Sequence, residues 1–535
     1  MDRRHNFFFI SVIIIAGIIA YSNSFDCSLH FDDAKFFEKI DKIVSPDIAD
    51  WFLLFPSRPA GTLTFAVNYQ LHGLDVWGYH LVNLIIHLIN ALLIWWLTRL
   101  TLSTPVMKDA EISRHKNIIA FLTGLLFVTH PLATQSVTYI AQRFASLATL
   151  FYLLSLILFV QGKLQETKNI RTLLFSGSLI SAVLGMLTKE IVFTLPFAIL
   201  LYDYCFLRTT SLKPARKNSS LILSLIMLVI FILLFFLLSP STNPFNTVPP
   251  GQGYSYSISM KEYFLTQFRV ILTYLRLFVL PINQNLDYDY PLSTGFLQLK
   301  TLVSFSLLLA ILALGILSFK RYRLISFGIF WFFLTMSVES SIIPISQNVI
   351  FEHRTYLPGF GFFLALTGLF FYFTREQYIK IAVIILLIIA SINTFLAYQR
   401  NKIWKSEYTL WSDCIKKSPN KARTNNNFGL VLFGEGRILE AIQHYNMAIS
   451  LTPDYPLPYY NRGKAYAELG QLQLAIDDFT KAIRLQPDFP EAYFNRGNIY
   501  LYQGKGKLGC PDAQKACASG KCELLDTAKA KGVCF

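Results

Sequence analysis

The sequence predicts an all-α fold in two parts: a polytopic membrane helical bundle of about eleven spans, followed by a short helical solenoid. Three observations carry that prediction. Of 535 residues, 53% are hydrophobic and only 15% are charged, more apolar surface than a soluble chain of this length keeps dispersed. The apolar residues are gathered into runs long enough to cross a bilayer. From about residue 398 the composition turns polar and a 34-residue period appears.

The apolar runs, each roughly 17–22 residues long, begin near positions 5, 79, 117, 145, 171, 191, 219, 300, 324, 357 and 379. "MDRRHN" before "FFFISVIIIAGIIAY" has the outline of a signal peptide. No small-x-small cleavage site follows it, so the reading is an uncleaved anchor. Arg3/Arg4, Arg99 to Lys116, Lys163 to Arg171, Arg208 to Lys217, Lys320/Arg321/Arg323 and Arg375/Lys380 fall in alternate connections. The positive-inside rule then puts the N-terminus in the cytoplasm. The formal charge of +15 comes from these short clusters between apolar runs, which is the pattern of a chain in a lipid bilayer and argues against nucleic acid as a partner.

One run decides the parity. "EYFLTQFRVILTYLRLFVLP", Glu262 to Pro281, is apolar enough to span, yet Arg269 and Arg276 lie on one helical face with Thr273 between them. Two unpaired cations at membrane depth cost several kcal/mol. An interfacial or cavity-lining helix avoids that. The expectation is therefore eleven spans with the tail on the outer face. Residues 24–78, 130–144, around 189, 239–299 and 344–356 then share that outer side.

In the tail, Gly429, Gly463 and Gly497 are 34 residues apart, as are Gly436, Gly470 and Gly504, Ala448, Ala482 and Ala516, and Pro453 and Pro487. Tyr445 and Phe479 keep the register. Small residues at helix crossings with Pro at the repeat end are the tetratricopeptide signature. Trp411 and Pro419 fit one period earlier, as a half repeat. The expected division is 1–397 membrane domain, 398–420 linker and half repeat, and 421–535 repeats with a Cys-rich terminal one. Such arrays bind protein or peptide; the plainer reading is a stabilising cap. Cys510, Cys517, Cys522 and Cys534 include no Cys-x-x-Cys pair and have no nearby His, which argues against zinc. Two disulfides suit them, with three connectivities open, and imply an oxidising compartment. The alternative is four reduced thiols in a cytoplasmic tail.

The outer loops hold the unusual polar residues. "SLHFDDAKFF" places Asp32 beside Asp33 next to the membrane. His80, Asn83, His87 and Asn90 form a polar stripe at helical spacing. Interhelical hydrogen bonds account for His87 and Asn90, whereas His80 lies at the outer mouth. Arg58 stands in "FPSRPAGTL", and His130 and Arg143 lie at the outer ends of two runs. "GMLTKEIVFTLP" gives Lys189 and Glu190, whose simplest role is to pair with each other. "NVIFEHRTYLPG" offers Glu352, His353, Arg354 and Tyr356, and "NQNLDYDYP" adds Asp287 and Asp289. Together they predict a membrane-level cavity open to the outside. Guanidinium groups grip phosphate, and a carboxylate can take the proton of an attacking hydroxyl. That chemistry joins a phosphate-bearing lipid to a nucleophile from the aqueous side.

The acidic pair, "RPAGTLTFAVNYQLHGLDVWGYHLVNLIIHLINA", "HPLATQSVTYIAQR", "TKE…LP", "EHRTYLP" and the repeats, in that order, resemble the bacterial relatives of the transmembrane-and-TPR (TMTC-like) O-mannosyltransferases, GT-C-type membrane glycosyltransferases. The resemblance implies a GT-C-like bundle, a polyprenyl- or dolichyl-phosphate sugar donor, inverting transfer and a protein acceptor. It maps the acidic motif onto Asp32 and Asp33. Many relatives carry an acidic residue soon after the Arg matching Arg143, where this chain reads "RFASLA". The expectation is a polyprenyl-phosphate-sugar-dependent protein glycosyltransferase of a bacterial cytoplasmic membrane, with a periplasmic tail. Asp32 or Asp33 is the base, and mutual repulsion raises both toward the working range. The other carboxylate orients the acceptor or holds a divalent cation. Arg354 and His353, with Arg269 or Arg276, hold the donor phosphate. The alternatives are a non-enzymatic repeat scaffold for envelope or pilus assembly, and a lipid-linked-oligosaccharide ligase or polymerase.

Overall fold

The structure, a computed structural model, describes residues 3–30, 33, 58–208, 218–238, 258–340 and 348–534. Among these there is no strand. The membrane part contains α1 (Arg3–Tyr21), α2 (Pro59–His72), α3 (Val76–Thr101), α4 (Lys116–Thr129), α5 (Arg143–Leu164), α6 (Lys168–Met186) and α7 (Leu195–Tyr202). It continues with α8 (Ser219–Leu238), α9 (Met260–Val279), α10 (Leu299–Ser318), α11 (Arg323–Met336), α12 (Tyr356–Phe373) and α13 (Ile379–Asn401). Among the described residues nine helices are long and apolar enough to cross a membrane. They become ten if Glu111–Thr129 and Pro131–Val137, bent by 51°, form one span, and Arg323–Met336 is a shorter apolar helix. Each of the eleven apolar runs coincides with one of these elements. The bend falls at Pro131, where the missing N–H and the restricted residue before it end α4.

α9 is not among the candidate spans. It opens with a capping box between Ser259 and Glu262 and is two-faced. Tyr263, Gln267, Val270 and Tyr274 are buried, while Arg269 is half-buried and Arg276 exposed.

Without a hydrophobic drive between helices in lipid, close packing and interhelical hydrogen bonds hold the bundle. α11 and α12 cross at Gly328 and Gly361, where a Cβ on Gly328 would lie 2.3 Å from the Gly361 carbonyl oxygen. The stripe on α3 is used as expected. His87 bonds the Tyr356 hydroxyl and the Val128 carbonyl, and Asn90 donates to the Ser146 carbonyl and to Tyr356.

The tail comprises α14 (Glu407–Lys417), α15 (Ala422–Gly434), α16 (Ile438–Leu451), α17 (Pro456–Glu468), α18 (Leu472–Leu485), α19 (Pro490–Tyr502), α20 (Gly506–Ala518) and α21 (Glu523–Ala530). Gly429 lies under Tyr445 and Gly463 under Phe479, each too close for a Cβ (2.7 and 2.9 Å). That interlock is the physical content of the 34-residue period. The third repeat has Ala513 at the aromatic's place, and Asp512 and Leu524 fill the gap over Gly497. Disulfides Cys510–Cys534 and Cys517–Cys522 close that end, resolving the connectivity the spacing left open.

The tail is fastened to the membrane part. Asp287 receives Arg423, Lys421 (2.6 Å) and Thr424 (3.1 Å), and Asn285 donates to Ser418. Lys417 reaches the Gln284 carbonyl, while Trp404, Trp411, Phe428 and Tyr445 share an apolar cluster with Cys27, Tyr139 and Leu286.

Candidate active site

The predicted residues resolve into two adjoining groups around the 130–143 connection, plus a third set that docks the tail. The first group is built on Asp33. Its carboxylate accepts the backbone N–H of His30 (3.0 Å) and of Ala141 (2.7 Å) and is buried. Asp33 thus ties the segment after α1 to the start of α5, where it supplies a negative charge near Arg143. Arg143 is fully buried. It donates to Asn83 (2.6 Å), Asn68 (2.8 Å) and the Tyr79 carbonyl (3.1 Å), and lies 4.2 Å over the Phe65 ring. His80 bonds the Cys27 carbonyl (3.0 Å), and His30 reaches Glu407 (3.0 Å) and the Trp404 carbonyl in the tail junction. Asp32 lies outside the described residues.

The second group holds the cations. Lys189 pairs with Glu339 at 2.5 Å, both nearly fully buried. Arg58 takes Glu190 in a two-pronged contact (3.0 and 3.1 Å) and lies over the Phe144 ring. Lys189 and Glu190 thus do not pair with each other. The extended backbone at Lys189 separates the two side chains, and each finds a partner from a distant segment. Arg354 is buried, donating to the Tyr263 hydroxyl (2.9 Å), which in turn donates to the Glu339 carbonyl (3.1 Å). His353 is held through its backbone N–H by Gln135 (3.2 Å) and stacks on Phe351. Its Nδ1 is buried and unpartnered, with the charges of Lys189, Arg354 and Arg58 nearby. Among the described residues three cations here face two carboxylates, an arrangement suited to an added anion.

Arg269 and Arg276 are not brought to this group. α9 turns its tyrosine face to Arg354, so the opposite face carries Arg269 to the Pro291 carbonyl (2.9 Å) and Arg276 to the Ile282 carbonyl (3.2 Å). Glu352 is a clamp: fully buried, it accepts Gln284, the Asn285 N–H and the Tyr288 hydroxyl (2.9, 2.8 and 2.6 Å). Asp287 belongs to the tail junction, and Asp289 is exposed, its N–H donating to Ser418. His130 uses both nitrogens, Nε2 donating to the Phe278 carbonyl and Nδ1 accepting the Leu132 N–H, so it pins the bend after α4. Tyr356 is buried within the α3 network.

Sequence reasoning missed Glu339, Tyr263 and His30. Glu339 had a legible signal, a lone carboxylate closing the apolar run of α11. Among the described residues no group of three or more His, Cys, Asp or Glu side chains is placed to hold a metal ion.

A polytopic, all-helical membrane protein with a tetratricopeptide tail, and a largely buried cationic group at the bundle end that carries it, is the class this geometry defines. A family model described as "TPR repeat" matches residues 429–470 and 463–504. The chain resembles protein O-mannosyl-transferases along most of its length. It is 27% identical to Protein O-mannosyl-transferase F38B6.6 of Caenorhabditis elegans over 74% of this chain and 54% of that one. Against Tmtc3 of Drosophila melanogaster it is 25% identical over 85% and 56%, and against human TMTC1 25% identical over 76% and 49%. The chain thus spans about half the length of the curated relatives it matches. Among solved structures, ArnT from Cupriavidus metallidurans bound to undecaprenyl phosphate aligns at 14% identity, covering 87% of this chain and 79% of that chain, with a TM-score of 0.41.

Proposed function

We propose that this chain transfers a sugar from a polyprenyl-phosphate donor to a protein hydroxyl, with inversion, on the face of the membrane where the tail docks. The observation that carries the reading is the convergence of Arg58, Lys189 and Arg354 on one end of the bundle, where, among the described residues, Glu190 and Glu339 are the carboxylates paired with them. The similarity to protein O-mannosyl-transferases supports the same reaction class. A membrane-level cation excess selects a phosphate and stabilises the charge that grows on it as it departs. Arg354 is held by Tyr263, and Lys189 by Glu339, so both are positioned before the donor arrives.

Both Asp33 oxygens are engaged by backbone N–H groups, which supports a loop-fixing role for Asp33 and leaves the base role, in this reading, to Asp32. Asp32 takes the acceptor hydroxyl proton as the oxygen attacks the sugar carbon and the carbon–phosphate-oxygen bond breaks on the opposite side. The phosphate leaves on its lipid as the anion. The repeats present the acceptor polypeptide. The compartment is the periplasmic side of a bacterial cytoplasmic membrane, supported by the tail disulfides and the basic loops.

The test is sugar transfer by purified protein in lipid, comparing Asp32→Asn and Asp33→Asn with wild type. Loss of turnover in Asp32→Asn with the protein still folded supports the assignment. Undiminished transfer in both variants removes it. Repeated absence of a co-purifying prenyl phosphate by mass spectrometry, together with no transfer, would favour a scaffold.

A further inference from the structure

A charged cavity lies at the other end of the bundle. α12 runs from the candidate site at Tyr356 to Phe373, about 27 Å along its axis. α13 returns from Ile379 to the tail junction at Asn401. Where the two meet, the turn between α10 and α11 and the connection before α4 enclose a cavity of about 580 Å³, against about 250 Å³ for the one beside Asp289 and Arg423. Lys320, Arg321, Arg323 and Arg375 line it, with Glu111, His115 and Glu376.

The positive-inside bias accounts for basic residues in these loops but not for their meeting in one hollow. Among the described residues none of the four cations pairs with a carboxylate, whereas Glu376 takes His115 (3.3 Å). Arg323 is anchored by donating to the Cys205 carbonyl (2.7 Å) and lies over the Phe319 ring, so one guanidinium is fixed in the wall. Lys320, Arg321 and Arg375 are exposed around it. Tyr322, Tyr372 and Phe373 pack at the rim, and exposed Leu317, Phe373 and Ile381 continue from it along the lipid-facing surface. A phosphate held by the cations would thus have its acyl chains beside apolar side chains.

We propose that this cavity binds an anionic phosphate carried by the headgroup of a membrane phospholipid, in the leaflet opposite the tail. The site is separate from sugar transfer and stands whether or not that reading does.

Native mass spectrometry of the full chain in detergent, loaded with equal phosphatidylglycerol and phosphatidylcholine, tests it. Phosphatidylglycerol is expected to be retained at least about tenfold better. Arg321→Gln with Arg375→Gln should weaken it about thirty-fold, each cation contributing about fivefold. Lys168→Gln with Arg171→Gln removes the same charge from the first turn of α6 and should change retention less than about twofold. Equal retention of the two lipids, or equal loss in both double variants, overturns the proposal. Displacement by equimolar glycerol 3-phosphate overturns the lipid source, making the ligand a free phosphate.

Discussion

Replacing Asp287 with Asn should loosen the tail from the membrane domain while leaving each part folded. Asp287 is buried between Arg423, Lys421 and Thr424. Burial alone would push its carboxyl up, but the Arg423 guanidinium and Lys421 ammonium outweigh that and hold it at about 2 rather than 3.8. Lys421 itself is pushed down by burial and by Arg423, although Asp287 pulls it up. Two cations share one carboxylate, and Arg423, with Nε and Nη2 both engaged, is the stronger partner. The depression of Asp287 corresponds to about 2 kcal/mol of docking stability at neutral pH. Stranding the two cations raises the cost toward about 3–4 kcal/mol, at the low end of a broken buried pair because both remain partly solvated. Because the docked value lies below the free one, the contribution is complete above about pH 4 and is lost as pH falls toward 2. Limited proteolysis of the 398–421 segment in lipid, at pH 7 and pH 3, reads the loosening, with Arg423→Gln completing a double-mutant cycle. Unchanged cleavage in Asp287→Asn at pH 7, or a coupling below about 0.5 kcal/mol, would refute the reasoning.

Three further outcomes are expected. Glu339→Gln leaves Lys189 buried without its partner; thermal unfolding should register a loss of about 3 kcal/mol, with sugar transfer falling in parallel. Lys189→Met with Glu339→Leu should recover the stability but not the transfer, and recovery of both would detach the pair from function. Gly328→Ala puts a methyl into the Gly361 carbonyl across α11 and α12, where backbone must move, so a loss of about 1–3 kcal/mol should appear as a lower Tm. Opening Cys510–Cys534 by Cys510→Ser and Cys534→Ser releases a loop with sequence separation 24 and should destabilise the last repeat by about 3 kcal/mol. The shorter loop of Cys517–Cys522 should contribute about 2 kcal/mol, and hydrogen exchange in α20 and α21 should rank the two in that order.

Some of the site was legible in one dimension. The polar stripe on α3 gave His87 and Asn90 their helix-bridging roles because spacing alone puts them on one face. The two arginines of α9 share a face, as the spacing required, but which face meets the bundle was open. Tyr263, Gln267 and Tyr274 took that place through their bonds to the carbonyls of Glu339, Val349 and Phe351. Gathering Asp287 with the outer carboxylates was reasonable by position along the chain. Its partners, Lys421 and Arg423, lie more than a hundred residues away in the tail.

By itself the sequence determined the helical membrane bundle, the eleven apolar runs and the 34-residue repeat. Those are local properties: a run either fills a bilayer's thickness or does not, and a glycine under an aromatic recurs with the repeat. Tertiary structure alone decided that Lys189 takes Glu339, Arg58 takes Glu190, Asp33 accepts the Ala141 N–H just before α5, and Cys510 joins Cys534. Burying a charge in a low-dielectric interior demands a partner but does not name one. Several carboxylates satisfy that demand equally until packing brings one within reach.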